Sequence, residues 1–139
     1  MAGYSGTPLP RKLGIKDQFR VAIFNLPAEV KSELKTSLAS CNLATDAPLD
    51  FAMIFVKTAA ELRKQFPRFA KQLAPPGILW ISWPKKTSGV ATDLTENEVR
   101  KIGLDCGLVD VKVCAVNEVW SGLKFVIRLK DRAVKTRSS

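Results

Sequence analysis

The sequence predicts an α/β domain with an open, mostly parallel, three-layer sheet of about five or six strands that ends in an antiparallel hairpin. Three observations carry this. Strand and helix patterns alternate along the chain in the order β-α-β-α-β-α-β-β. The stretch Phe51–Val56 (FAMIFV) is apolar throughout. A strand apolar on both faces belongs in a parallel sheet with helices on each side. The last two strand patterns are joined only by Val119–Gly122, a connection too short for a parallel crossover.

The elements follow in order. Residues 1–18 hold Gly, Pro, Ser and Thr, then Arg11, Lys12 and Lys16, and read as an extended N-terminal arm. Arg20–Phe24 (RVAIF) is the first strand. Pro27 suits the first turn of a helix, where its missing N–H costs nothing. Val30, Leu34 and Leu38 then give the stripe of an amphipathic helix. Residues 39–49 are poorly patterned and hold one short strand around Cys41–Ala44, or none. Phe51–Val56 follows, and Thr58 with Glu61 makes a capping-box pattern. Leu62, Phe66, Phe69 and Leu73 continue that helix, and Pro67 should kink or split it near Phe66. Pro75-Pro76-Gly77 should end it.

Ile78–Trp83 (ILWISW) is the third clear strand. Thr95 and Glu98 form a second capping box, with Leu94 and Val99 as its hydrophobic staple. Val99, Ile102 and Cys106 make the buried stripe, and Gly107 suits the position just past the helix. Val109–Val116 and Leu123–Leu129 are the closing strands. The expected organisation is an arm over 1–18, one α/β domain over 19–129 and a basic, flexible tail over 130–139.

Composition bounds the chemistry. The chain has 139 residues, 46% of them apolar and 25% charged, which suits one globular domain. It has no histidine. That removes Ser-His-Asp and Cys-His nucleophile systems, HExxH zinc sites and any imidazole base. Cys41, Cys106 and Cys114 form no CxxC pair, so neither a disulfide framework nor a metal site is expected. Cys106 and Cys114 read as buried and inert. There is no apolar leader pattern in the first residues, and no apolar run is long enough to span a bilayer. A cytoplasmic protein that does not enter membranes is expected. The oligomeric state is not legible.

The net charge is +9, and it is uneven: from Lys124 onward six basic residues accompany one acid. No aromatic follows Leu129, so the tail reads first as a solubilising end. Non-specific nucleic-acid contact through the arm and tail is the alternative.

The strand order resembles the later two-thirds of the S-adenosylmethionine-dependent methyltransferase fold. That fold is a Rossmann-like sheet with one antiparallel strand inserted near its end. Three stretches, 4-YSGTPLPRKLGIK-16, 83-WPKKTSGVATDLTENEVRKIGL-104 and 108-LVDVKVCAVNEVWSGLKFVIR-128, are also similar to a family of short bacterial proteins that carry a domain of unknown function. The methyltransferase likeness implies S-adenosylmethionine as cofactor. It departs from the pattern at the first turn. There the cofactor would lie against glycine backbone, and this chain has Phe24-Asn25-Leu26-Pro27. The acidic residue expected at the end of the second strand has no clear counterpart. A shortened fold with a degenerate cofactor site is the expectation, and S-adenosylmethionine is disfavoured.

Ligands of open α/β sheets gather beyond the carboxyl ends of the parallel strands. That rule selects Asn25 after the first strand and Lys57 after the second. After the third it selects Trp83, Lys85, Lys86, Thr87 and Ser88. If Val109–Val116 runs parallel to these strands, it also selects Asn117, Glu118, Trp120 and Ser121. Pro84–Leu94 exceeds the roughly 2–6 residues of an ordinary βα connection. Its lysines and hydroxyls could hold a phosphate, a carboxylate or an acidic side chain. Its simplest reading is a solvated basic turn, and it lacks the second glycine of a phosphate-binding GxxxxGK[ST] loop. Asp93 would orient Lys85 or Lys86, or stabilise the adjacent helix start. Trp80 reads as core, and Trp83 and Trp120 as ligand wall. No residue is assigned a catalytic role. The reading is a small binding domain with an anion or small-ligand site at this edge. A protein-docking module, a pseudo-enzyme using the same edge, is its alternative.

Overall fold

A computed structural model describes residues 7–44 and 48–132. It contains α1 (Leu9–Leu13), β1 (Arg20–Phe24), α2 (Ala28–Ala39), β2 (Asn42–Leu43), β3 (Leu49–Phe55), α3 (Ala59–Gln72), β4 (Leu73–Pro84), α4 (Glu96–Asp105), β5 (Leu108–Ala115) and β6 (Trp120–Ile127). The six strands form one sheet in the order β2-β1-β3-β4-β6-β5. Every pair among β2, β1, β3 and β4 is parallel. β6 is antiparallel to both β4 and β5, so it is the one reversed strand. The α/β class, the mostly parallel sheet and the closing hairpin are as the sequence predicts.

Two cores flank the sheet. Leu62 and Phe66 of α3 and Val99 and Ile102 of α4 pack on Ala52, Ile54, Leu79, Ile81, Leu123 and Phe125. On the other face, Leu9 and Leu13 of α1 and Val30 and Leu34 of α2 pack on Val21, Phe51, Met53 and Trp80. This is why β3 reads as continuously apolar: alternate residues enter opposite cores. A parallel sheet buried on both faces demands such a run.

Several elements differ from the sequence reading. The arm holds a short helix rather than an extended run. Leu13 is fully buried, and its carbonyl accepts the Trp80 indole N–H at 2.7 Å. Pro27 caps α2 from the position before its first turn. Pro67 does not split α3, which is continuous to Gln72. Leu62, Phe66 and Ala70 are buried along one stripe, and that packing outweighs the single backbone bond that proline removes. The chain passes directly from α3 into β4, which starts at Leu73 and contains Pro75-Pro76-Gly77. The prolines sit where the register with β3 shifts, between the Leu49↔Leu73 and Phe51↔Ile78 pairs, so no ladder bond is asked of them. Asn42–Leu43 forms a two-residue strand in the poorly patterned segment. At the tail, residues 129–132 are helical, and 133–139 lie outside the described residues, as do 1–6 of the arm. No helix among the described residues is long and apolar enough to cross a membrane.

Cys106 and Cys114 are half-buried rather than sealed in the core, as is Cys41. The Cys41 thiol donates to the carbonyls of Ser37 and Lys16 at 3.3 and 3.4 Å. Burial is the first cause that pushes all three thiols above their ordinary value of 9.0. A thiol that ionises later in the folded chain than in the unfolded chain holds its proton in the folded state alone through that window. Stability is therefore full below pH 9 and falls as the pH rises through the folded values. Urea unfolding from pH 8 to 10 should show this fall, and Cys114→Ala should flatten it. An unchanged slope in the variant would contradict the assignment.

Candidate functional site

The carboxyl ends of β1, β3 and β4 define one edge of the sheet. β1 leads through α2 to β2 on one side, whereas β3 leads through α3 to β4 on the other. The two crossover helices lie on opposite faces. The strand order therefore reverses between β1 and β3, and a crevice opens at such a point.

A crevice of about 490 Å³ lies there, lined by Asn25, Leu26 and Pro27 after β1, Phe55, Val56 and Lys57 at the end of β3, Glu61 of α3, and Trp120. Three residues selected from sequence, Asn25, Lys57 and Trp120, meet in it. Trp120 is 7% exposed, stacks edge-on against Phe55 at 5.2 Å and donates its indole N–H to Glu29 at 3.3 Å. It forms a wall of the crevice with its body in the core. The Asn117 side-chain oxygen accepts the N–H groups of Val119 and Trp120, both at 2.8 Å, and so fixes the turn that delivers the ring.

Asn25 has φ of +58°. The left-handed region is costly for most side chains and tolerated by asparagine. The turn after β1 thus keeps a backbone shape associated with glycine, without the glycine. Directly after β2 stands Ala44, whose N–H donates to the Val21 carbonyl, and the acidic residue expected at a strand end has no counterpart there; 45–47 lie outside the described residues.

The loop after β4 builds a second groove, of about 540 Å³. Trp83, Lys85, Lys86 and Thr87 face Thr95, Glu96 and Asn97 of the α4 start across it. Trp83 is only 5% exposed and belongs to the core under α3 and α4. It lies at the end of a buried strand, so it gives the groove a margin rather than an open wall. Glu96 is paired with Arg100 at 2.6 Å.

Most of the loop's other polar groups are engaged by the protein. Lys86–Ser88 form a single 3-10 turn closed by Gly89 at φ +79°. The Ser88 hydroxyl donates to the Lys85 carbonyl at 2.6 Å and accepts from Val90 N–H. The Thr92 hydroxyl donates to the Lys57 carbonyl at 2.7 Å. Asp93 does not orient a lysine or cap its own helix. Its carboxylate accepts the Ala59 N–H at the start of α3, at 2.8 Å. Lys85 N–H donates to the Val119 carbonyl at 2.7 Å. The extra length of this connection thus ties β4 to the β3–α3 and β5–β6 connections. Glu118 is exposed in the latter and does not line either groove.

The capping residues behave as the sequence predicts. Thr58 and Thr95 accept the N–H groups of Glu61 and Glu98, each at 3.2 Å. Glu61 was legible as a cap partner, and no sequence signal placed its carboxylate in the crevice. A third hollow, of about 520 Å³, was not anticipated. Phe24, Leu38, Leu43 and Phe69 line it, with Lys31 and Arg68 beside them. It lies along β1, where the paired part of β2 is only two residues long. Among the described residues, no group of three or more His, Cys, Asp or Glu side chains is placed to hold a metal ion.

No protein-family model matches the chain, and no curated protein is significantly similar to it in sequence. Solved structures are similar in fold. A magnesium protoporphyrin IX methyltransferase from Synechocystis PCC 6803 with bound SAH superposes with a TM-score of 0.57 at 12% identity, over 80% of this chain and 74% of that one. A SAM-dependent methyltransferase from Aquifex aeolicus gives 0.55 at 13%, over 83% and 85%. A ribosomal protein L11 methylase from Lactobacillus delbrueckii subsp. bulgaricus gives 0.53 at 11%, over 86% and 74%. The fold is that of the methyltransferases, a Rossmann-like sheet.

Proposed function

We propose that this chain is a small-ligand-binding domain on a shortened methyltransferase-like fold, with its site in the crevice between the carboxyl ends of β1 and β3. The observation that carries the reading is the meeting of Asn25, Lys57, Glu61 and Trp120 at the point where the strand order reverses.

The charges narrow the ligand. Lys57 offers an ammonium and Glu61 a carboxylate within one crevice. Asp93 already occupies the first N–H of α3. A bare anion would meet the Glu61 carboxylate, whereas an amphoteric ligand with an apolar or aromatic portion satisfies Lys57, Glu61 and the Trp120 wall together. An adenosyl amino acid such as S-adenosylhomocysteine has that chemistry, and two of the similar structures are named for SAH or SAM. Asn25 lines the same crevice and offers its side-chain amide to such a ligand. Methyl transfer is not part of the proposal, since no acceptor-activating group is identified.

A bare anion suits the second groove better. There Lys85, Lys86 and Thr87 face the start of α4, and the nearby Glu96 is neutralised by Arg100.

Calorimetric titration with S-adenosylhomocysteine tests the first reading. Micromolar binding is expected, weakened about tenfold or more by Lys57→Ala, the scale of one charge-assisted hydrogen bond. Absence of heat together with an unshifted melting curve would overturn it. Inorganic phosphate, titrated into the wild type and Lys85→Ala/Lys86→Ala, then reads the second groove.

A further inference from the structure

The outer part of the sheet carries a second charged surface. Lys112 of β5 and Lys124 of β6 are direct cross-strand partners. Two residues along, Cys114 pairs with Gly122, and a side chain at Gly122 would meet Trp80 at 3.2 Å. Side chains two apart on a strand share a face. Lys112, Cys114 and Lys124 therefore lie on the face that carries Trp80 and α1, opposite α4.

Lys12 is in the last turn of α1, the helix whose Leu13 carbonyl accepts the Trp80 indole N–H, and Lys85 is tied to the β5–β6 connection through Val119, so both flank this face, Lys85 at its border with the α4 groove. The acid of β5, Asp110, is held by Arg100 of α4 at 2.8 Å. Lys85, Lys112 and Lys124 take part in none of the ion pairs among the described residues. Like charges directly opposite on neighbouring strands destabilise a sheet. Burial and the neighbouring Lys112 both push the Lys124 ammonium below its ordinary value of 10.5. The fold thus keeps a repulsive lysine pair where a neutral or acidic partner would be more stable. An external anion relieves that repulsion.

We infer that the β5–β6 face bearing Lys12, Lys85, Lys112 and Lys124 binds the phosphate backbone of a nucleic acid. Ammonium groups act as point charges on phosphate, and the cluster has no arginine fork of the kind that recognises carboxylates in pairs. The +9 charge of the chain attracts an extended polyanion beyond the cluster itself. Among the described residues no exposed aromatic lies beside these lysines, so contact with the backbone and little sequence preference are expected. This surface is separate from the β1–β3 crevice and does not depend on the reading proposed for it.

The test is fluorescence anisotropy of the full chain with a labelled 20-nucleotide RNA and a labelled 20-base-pair DNA, from 50 to 200 mM KCl. Lys112→Gln/Lys124→Gln should bind about tenfold more weakly at the lowest salt, and its log–log salt slope should be shallower by about 1.4 for the single strand or 1.8 for the duplex. The wild-type affinities for the two probes at the same salt show which nucleic acid is preferred. Its melting temperature should hold or rise, because the repulsion is removed. Lys112→Arg/Lys124→Arg should retain binding. Lys112→Gln alone, at an exposed position, should give about half the change in slope. An unchanged slope would overturn the inference. So would equal affinity for polyglutamate or for anionic phosphatidylserine vesicles. A larger loss from Lys135→Gln/Arg137→Gln than from the sheet variant would move the binding to the tail and also overturn it.

Discussion

Gly103→Ala should destabilise the fold by about 3 kcal/mol, although alanine is the better helix former by about 1 kcal/mol. Gly103 is buried in α4, and a Cβ placed there would overlap the Phe125 ring of β6. The ring has no free direction. Phe125 is fully buried and stacks edge-on against Phe66 of α3 at 5.2 Å. A methyl group must therefore push α4 away from the sheet or drive Phe125 into Phe66. Closely packed interiors resist both. Urea unfolding should show the loss. Gly103→Ala/Phe125→Leu should recover part of it, because the smaller side chain vacates the contact. A fully additive double variant would mean that the cost lies elsewhere.

This contact also shows where sequence reading reaches its limit. Thr58 with Glu61, and Thr95 with Glu98, are signals four residues long, and they place both helix starts correctly. The run Phe51–Val56 announces its two-faced burial by composition alone. Gly107 takes its left-handed place after α4, at φ +91°. These features depend on neighbours in the chain. Gly103 depends on Phe125, across the layer boundary, and its helix pattern gave no sign of the contact. That α3 runs unsplit through Pro67 is hidden from the sequence for the same reason, since the packing that keeps it continuous comes from the sheet. Sequence alone offers Trp83 as a ligand wall because it ends a strand. The cover that α3 and α4 give that strand end is a tertiary fact.

The site divides similarly. Topology was legible, so the strand-end rule gathered Asn25, Lys57 and Trp120 in advance. The partners of Thr92 and Asp93 were not, because their hydrogen bonds span 35 and 34 residues. A hydroxyl-rich basic loop has the same composition whether its groups hold a ligand or hold the fold. Here Ser88, Thr92 and Asp93 do the second, and Lys85, Lys86 and Thr87 remain for the first.

Asn117→Ala is expected to cost about 2–3 kcal/mol and to loosen the crevice wall as well. Asn117 is 8% exposed, and its side-chain oxygen is the acceptor for both Val119 N–H and Trp120 N–H. The Trp120 amide lies in a buried setting. Removing the acceptor strands a buried donor, which costs more than the bond itself contributes. Alanine also cannot hold the turn by a local side-chain bond, which asparagine does as a matter of chemistry. The consequence reaches Trp120, which starts β6, touches Phe55 and closes the crevice beside Lys57. Ligand affinity should therefore fall along with stability. Asn117→Asp keeps the acceptor and should retain most of both at neutral pH. Melting curves and calorimetric titration on the two variants separate the effects. If Asn117→Ala lowers stability while affinity per folded molecule is unchanged, Trp120 is a structural residue and the crevice does not use it.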